Sequence, residues 1–280
     1  MSKATKKAVK VGVVLGAIAL ALWLAPTWVS LYVALPFLAL GVYDVFRNDF
    51  PNSGPLLKRY FAGNGLFTWL MSPVNVVMDI LSKPLPKTAT IDDLPQECRS
   101  ELEGVLDVLM SNRDMLIQQI NASMGASARG MVFFRWYGRS TGVALPGLED
   151  AGAYVKTIGV STFKPKTATK HHFGPLRITY RVLYTLTPID SEAAYIEVGN
   201  HKHVWRTNPL FIFDDTLMHR SVNDTDDLRY AAFIDIMRPM RVPALSNAIL
   251  SIARAVLGGV NRMLYKNWKM LDIEEKPATR

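Results

Sequence analysis

The sequence predicts an α+β chain: a two-sheet β-core, sandwich or jelly roll, with flanking helices and a membrane hairpin ahead of it. Three observations predict this. From about Tyr154 onward, short runs such as KTIGVSTF, RITYRVLYTLT, AAYIEV, LFIFDD, MHRSV and LRYAAFIDIM are rich in Val, Ile, Tyr, Phe and Thr. Turn clusters (TPIDSE, GN, NDTDD) separate them with no helical pattern between, the spacing of an all-β core. Between Leu94 and Ile120 the apolar residues recur mostly three and four apart, one face of a helix. From Val11 to Tyr43, thirty-three consecutive residues carry no charge, well past the ~18 that point to a membrane segment.

Residues 1–50 are read as the anchor. Four lysines in MSKATKKAVK precede the apolar run, and Pro26 interrupts it before WVSLYVALPFLALGVY resumes. A cleaved signal peptide would have a shorter apolar core and polar sequence after it, so an uncleaved anchor is expected. One straight helix would run about 50 Å, and two broken near Pro26 about 23 Å each. A hairpin is therefore expected, with a single tilted span as the alternative. Lysines before it and Arg47, Lys58 and Arg59 after it place both ends in the cytoplasm.

Residues 51–125 form an interfacial and helical region. The stretch 55–86 mixes Phe, Trp and Met with few charges, which suits segments lying on a bilayer or a buried core. The helix over Leu94, Cys98, Leu102, Val105, Leu109, Leu116 and Ile120 takes Asp92 or Asp93 as its cap. Residues 126–240 hold the β-core. Residues 241–280 return to helix in NAILSIARAVLGGVNRMLYKNWKML. There Arg254, Arg262, Lys266 and Lys269 make a basic amphipathic segment for an anionic surface or a cap for the core.

The net charge of +8 would suit nucleic acid or an anionic membrane. The apolar run selects the phospholipid bilayer as partner, with no nucleic acid. A single cysteine, Cys98, excludes an intrachain disulfide and a thiolate metal cluster, and fits a reducing compartment.

The chemistry-bearing stretch is Trp205 to Pro239. If residues 223–227 form a loop, His219 faces Ala231 across a hairpin and shares a sheet face with Arg229. An imidazole can bind a metal and a guanidinium a carboxylate, though a His and an Arg in a hairpin are more often structural. The His201-x-His203 pair would share a strand face, but its Gly-Asn turn points to exposure. Phe213 and Met218 read as core, and Asp224, Asp226 and Asp227 as a solvated loop.

The text FDDTLMHRSVNDTDDLRYAAFIDIMRP resembles the aspartyl/asparaginyl β-hydroxylase family, closest to its bacterial lipid A 2-hydroxylase branch. Phe213, Asp214 and Asp215 followed by His219 match the run before a histidine iron ligand. Arg229, ten residues on, matches the arginine that binds 2-oxoglutarate. Trp205 and Arg206, IDIMRP, FFRWYG, SPVNVVM and GGVNRMLY extend the similarity. The resemblance implies a double-stranded β-helix (jelly-roll) core and an Fe(II)/2-oxoglutarate dioxygenase that hydroxylates a membrane-lipid acyl chain at the bacterial inner membrane, its soluble domain facing the cytoplasm. The family uses two histidines on iron. Counting back from Pro188 puts Val182 at the first of these positions, and a shifted register offers Thr179 or Tyr180, neither of which replaces an imidazole. His172, in KHHFGP, resembles a histidine the family carries before a proline-containing turn and is the expected second ligand. Two alternatives stand beside the lipid hydroxylase: a degenerate, non-catalytic membrane binding module, and a protein Asp/Asn β-hydroxylase.

Overall fold

The computed structural model describes residues 16, 20, 23–24, 26–49, 53–149, 151–241, 245, 248–251 and 268–271. Helix α1 (Thr27–Phe46) begins directly after Pro26 and widens to a π-type turn at Ser30–Ala34. Its 20 residues make about 30 Å, longer than expected and enough to cross a bilayer. The first limb of the expected hairpin lies largely outside the described residues. Helices α2 (Ser53–Ala62), α3 (Leu66–Leu70) and α4 (Ser72–Leu81) gather round the C-terminal half of α1. Gly41 lets α3 come close, since a Cβ there would sit 2.5 Å from the Trp69 ring.

The helix expected over 94–120 is two, α5 (Gln96–Ser111) and α6 (Arg113–Met124). Asn112 breaks it by folding its side-chain amide back onto the Val108 carbonyl at 2.8 Å. Asp93 caps a short 3₁₀ turn with Thr90, while Pro95 precedes α5, so the expected aspartate cap belongs one turn earlier. The seven core positions are all buried as the periodicity predicts.

Twelve strands are described: β1 (Thr88–Ala89), β2 (Arg129–Trp136), β3 (Arg139–Ser140), β4 (Val155–Phe163), β5 (Thr167–Ala168), β6 (Thr179–Thr185), β7 (Ala194–Val198), β8 (His201–Val204), β9 (Leu210–Phe213), β10 (His219–Asn223), β11 (Arg229–Met237) and β12 (Lys269–Met270). The large sheet runs β1-β9-β6-β11-β4-β2-β12, with β3 on β2, and the small sheet runs β5-β10-β7-β8. From β4 to β11 the chain winds between them: β4, β6, β9 and β11 in one, β5, β7, β8 and β10 in the other. That winding, antiparallel throughout, is the jelly roll the sequence predicts.

The β-core starts at β2, upstream of Tyr154 and inside the expected 126–240. At the other end Lys269 and Met270 are not helical but pair in parallel with Gly130 and Met131, covering what would be an open sheet edge. The basic helix expected ahead of them falls mostly outside the described residues.

The large sheet is covered on both faces, so β4 and β11 are buried at every position. Leu102, Leu109, Leu116 and Ile120 of α5 and α6 pack with Val132, Ile158, Val182 and Ile234 on the outer face. Phe133, Phe211, Phe213 and Phe233 fill the inner face against Ala194, Ile196 and Val198 of the small sheet.

A buried ionic network locks α1 and α4 to this core. Arg177 bonds Asp44 of α1 and, at 2.6 Å, Asp79 of α4, and lies 3.5 Å from Asp214. Asp214 also takes Arg47 at 2.7 Å and Arg238 at 3.0 Å, and Arg238 returns to Asp79 at 3.1 Å. Burial pushes the Asp214 carboxyl up, but Arg238, Arg47 and Arg177 outweigh it and hold the group far below its usual range. Removing one member strands the others without solvent. Arg177→Met is therefore expected to cost about 3–5 kcal/mol, read as a drop in the denaturation midpoint of the full chain; an unchanged midpoint would show the network to be dispensable.

Candidate functional site

The interior between the two sheets contains the chemistry. The His219–Arg229 hairpin expected from the sequence does not form. β10 pairs with β7 and β5, while β11 pairs with β4 and β6, so the loop between them crosses from the small sheet to the large one. His219 and Arg229 thus come from facing walls, not one wall. They still converge, because alternation turns His219 and Ser221 inward on β10 and Arg229 inward on β11.

His172 meets His219 directly. Each backbone N–H donates to the other's carbonyl at 2.9 Å, an isolated antiparallel bridge, and the ring centroids lie 4.1 Å apart. Nδ1 of His219 donates to the Leu217 carbonyl at 2.9 Å, and Nδ1 of His172 to the Lys170 carbonyl at 2.8 Å. Both bonds select the tautomer whose lone pair is on Nε2. Burial, aided by Arg181 and Arg129, pushes His172 down to about 4, and burial with its neighbour His172 drives His219 well below its ordinary value. Two neutral imidazoles with oriented Nε2 atoms suit a divalent metal. Among the described residues no group of three or more His, Cys, Asp and Glu gathers as a metal site, so the pair stands alone.

The loop carrying His172 is held from below by the N-terminal helices. Arg59 and Asn64 donate to the His171 carbonyl at 2.7 and 2.6 Å, Thr68 to Gly174 at 3.0 Å, and Asn75 to Pro175 at 3.3 Å. Asn48, just past α1, accepts from the Met218 N–H at 2.7 Å, beside His219. His171 itself points outward to Glu197 at 3.3 Å.

Val182 does not face this site. It pairs with Ile234 and Ile212 and points into the core under α5 and α6. Strand parity turns its neighbour Arg181 inward instead. Tyr180 also faces the helix side, so neither Val182 nor Tyr180 lies on the inner face, and the imidazole beside His219 is His172. The count back from Pro188 lands on the outward face of β6, whereas His172 lies on the loop ahead of that strand.

Arg229 is buried with no carboxylate partner among the described residues. Its Nη2 donates to Ser221 Oγ at 2.8 Å and Nη1 to the Val222 carbonyl at 3.2 Å, while Nε has no partner. Phe163 and Trp205 flank it, 4.2 and 5.6 Å from the guanidinium. Burial alone pushes it down to about 9. A buried cation lacking an anion fits a carboxylate ligand. His201 and His203 are not part of the pair. They stack on Phe211 near the rim, at 5.6 and 4.3 Å, and Phe211 leads through Phe213 to His219.

Asp215 and Arg181 escaped notice in the sequence as site residues. Arg181 bonds Asp215 at 3.0 Å and Asp235 at 2.6 Å over the Phe233 ring. Asp215 Oδ1 has no partner, and burial, with Asp235 and Asp214 adding to it against Arg181, pushes its carboxyl up to about 7. Only an inward parity read for β6 could have flagged Arg181.

Residues 143–239 match the model of the family described as aspartyl/asparaginyl beta-hydroxylase. The segment that builds the facing histidines and Arg229 is thus similar to that family, in line with the motif resemblance. Among curated proteins, an ornithine lipid ester-linked acyl 2-hydroxylase of Rhizobium tropici is 32% identical over 85 residues. That match covers 30% of this chain and 30% of the relative, so the chain spans under a third of the protein it matches. Solved structures are more distant. A salicylate 1,2-dioxygenase from Pseudaminobacter salicylatoxidans is 9% identical, covering 52% of this chain and 35% of its own at a TM-score of 0.29. An oxalate oxidase with the substrate analogue glycolate is 13% identical, covering 48% and 74%, also at 0.29. Likeness at this level speaks to neither mechanism nor substrate.

The raised Asp215 carboxyl carries a pH signature. A group whose folded pKa exceeds its unfolded value adds stability below the unfolded value and loses it as pH rises through the folded one. Asp215→Asn removes that dependence. Relative to wild type, its denaturation midpoint is expected to gain between about pH 4 and about pH 7; a difference independent of pH would mean that Asp215 is ionised throughout.

Proposed function

We propose that this protein is an Fe(II)/2-oxoglutarate-dependent hydroxylase acting on the acyl chain of a membrane lipid at the bacterial inner membrane, from the cytoplasmic face. The observation that carries this reading is the opposed His172–His219 pair, Nε2 atoms oriented, inside the same sandwich as a buried arginine with no carboxylate partner among the described residues. His172 and His219 would hold the iron, and Arg229, with Ser221, the distal carboxylate of 2-oxoglutarate. When bound, iron and 2-oxoglutarate supply the oxygen-dependent conversion of a C–H bond to C–OH.

The chain's own residues do the rest. The Leu217 and Lys170 carbonyls keep each Nδ1 protonated and so aim each Nε2 inward. Ser221 orients the Arg229 fork. Phe133, Phe211, Phe213 and Phe233 make the surrounding wall apolar, which excludes water and suits an acyl chain. The family motif, the lipid-hydroxylase relative and the apolar helix α1 support a lipid over a protein Asp or Asn side chain. A non-catalytic binding module was the alternative because Val182 stands where a first histidine is expected; the contact of His172 with His219 supports the catalytic reading instead.

The test is iron and 2-oxoglutarate binding by the full chain in detergent. Wild type is expected to take about one iron per chain, and His172→Ala or His219→Ala to lose at least tenfold in iron affinity. Arg229→Leu is expected to keep iron and lose 2-oxoglutarate. In cells lacking the protein, a lipid lighter by one oxygen atom should replace its hydroxylated form. Iron retained in both histidine variants would overturn the assignment.

A further inference from the structure

The N-terminal helices hold the His172 loop with one face and leave the other face bare. On α4 the inward positions Ser72, Asn75 and Met78 are buried, with Asn75 bonded to Pro175 and Asp79 to Arg177 and Arg238. The outward positions Val74, Val77 and Ile80 recur at helical spacing and are 38%, 48% and 65% exposed, with Leu70 of α3 beside them at 51%. Water-facing helices carry polar residues on that face. Here the polarity is reversed: ion pairs inside, aliphatic side chains outside.

This bare face continues onto α1. Leu31, Val33, Leu35, Leu38 and Phe46 are exposed there, and only 18% of its apolar stretch is buried, unlike a core helix. α1 and α3 are tied together, with Trp69 Nε1 donating to the Phe37 carbonyl at 3.3 Å and the Trp69 ring 5.4 Å from Phe37. Whatever surrounds the C-terminal half of α1 therefore also meets α3 and α4. Two exposed cations lie on neighbouring segments, Lys58 on α2 and Lys83 just past α4, which matches an anionic surface.

We propose that the outward face of α3 and α4, continuous with α1, lies in the headgroup–acyl boundary of a phospholipid bilayer. The two histidines then sit about one helix diameter, roughly 10 Å, above the membrane surface, because the loop holding His172 rests directly on the inner face of these helices. Resting on the lipid-hydroxylase reading, this geometry means that an acyl chain reaches the site by rising past α3 and α4 rather than by leaving the membrane.

The experiment places a fluorescent label on the face. Cys98 is the only cysteine and is buried, with its thiol pushed up to about 12 by burial, so wild type serves as the unlabelled control. Val77→Cys and Ile80→Cys, each labelled in the full chain, are compared with Leu228→Cys on the far loop, in vesicles of phosphatidylglycerol and phosphatidylethanolamine. The labels at 77 and 80 are expected to shift to the blue and to lose about half their emission or more to brominated acyl chains, and the label at 228 to do neither. Quenching of 77 and 80 by aqueous iodide as strong as at 228 would overturn the proposal. So would a blue shift without bromolipid quenching, which would mean that a second copy or another part of the chain covers the face. The measurement needs no iron and no turnover, so its failure is distinct from failure of the hydroxylase reading.

Discussion

Asp214 is the point on which the helical and β parts of the molecule depend. It lies immediately after β9, and its carboxylate receives Arg47 from the end of α1 and Arg238 from the end of β11, with Arg177 close by. Arg177 carries the connection on to Asp44 and Asp79. Such a cluster is costly to desolvate and adds less net stability than its contacts suggest. What it supplies is position. It lets an apolar helix end against a β-sandwich in one orientation, since a shift of either part would leave buried charges unpaired.

That orientation passes to the two histidines. His219 follows the Asp214–Thr216 turn, in which Asp214 accepts from Thr216, and Asn48 at the end of α1 fixes the residue before it. His172 lies on a loop whose carbonyls are held by α2, the turn after it, α3 and α4. Gly174 is required there for space: a Cβ would come within 2.5 Å of the Asp215 carboxylate. The pair is therefore assembled from a loop and a strand that only the helices keep in register.

The histidines and the arginine also differ in what the protein has already satisfied. Each imidazole has its Nδ1 committed and its Nε2 open, and Arg229 has two nitrogens bonded, Nε unpartnered and no counter-ion among the described residues. Arg181 is the contrast, fully engaged with Asp215 and Asp235 on the same inner face. Arg229 is thus buried with no carboxylate beside it among the described residues, whereas Arg181 is buried with two.

Much of the fold was legible from the residues. Short runs rich in Val, Ile, Tyr, Phe and Thr gave β4, β6, β7, β9, β10 and β11 but not β5, β8 or β12, the three- and four-residue spacing gave the buried face of α5 and α6, and the uncharged run gave α1. Local chemistry also singled out His219, Arg229 and His172, through a motif and a turn. The sequence could not say that the strands bearing His219 and Arg229 belong to different sheets, because a five-residue loop permits a hairpin as readily as a crossover and only competition among all strand pairings decides. Nor could it say which face of β6 looks into the site: parity fixes that 181 and 182 oppose each other, but burial on both sides leaves each apolar or paired. The amino-acid order by itself determined most element types, the apolar run that becomes α1 and the chemical groups. Tertiary structure decided which groups meet, because contact between His172 and His219, forty-seven positions apart, depends on helices and ion pairs that no local pattern encodes.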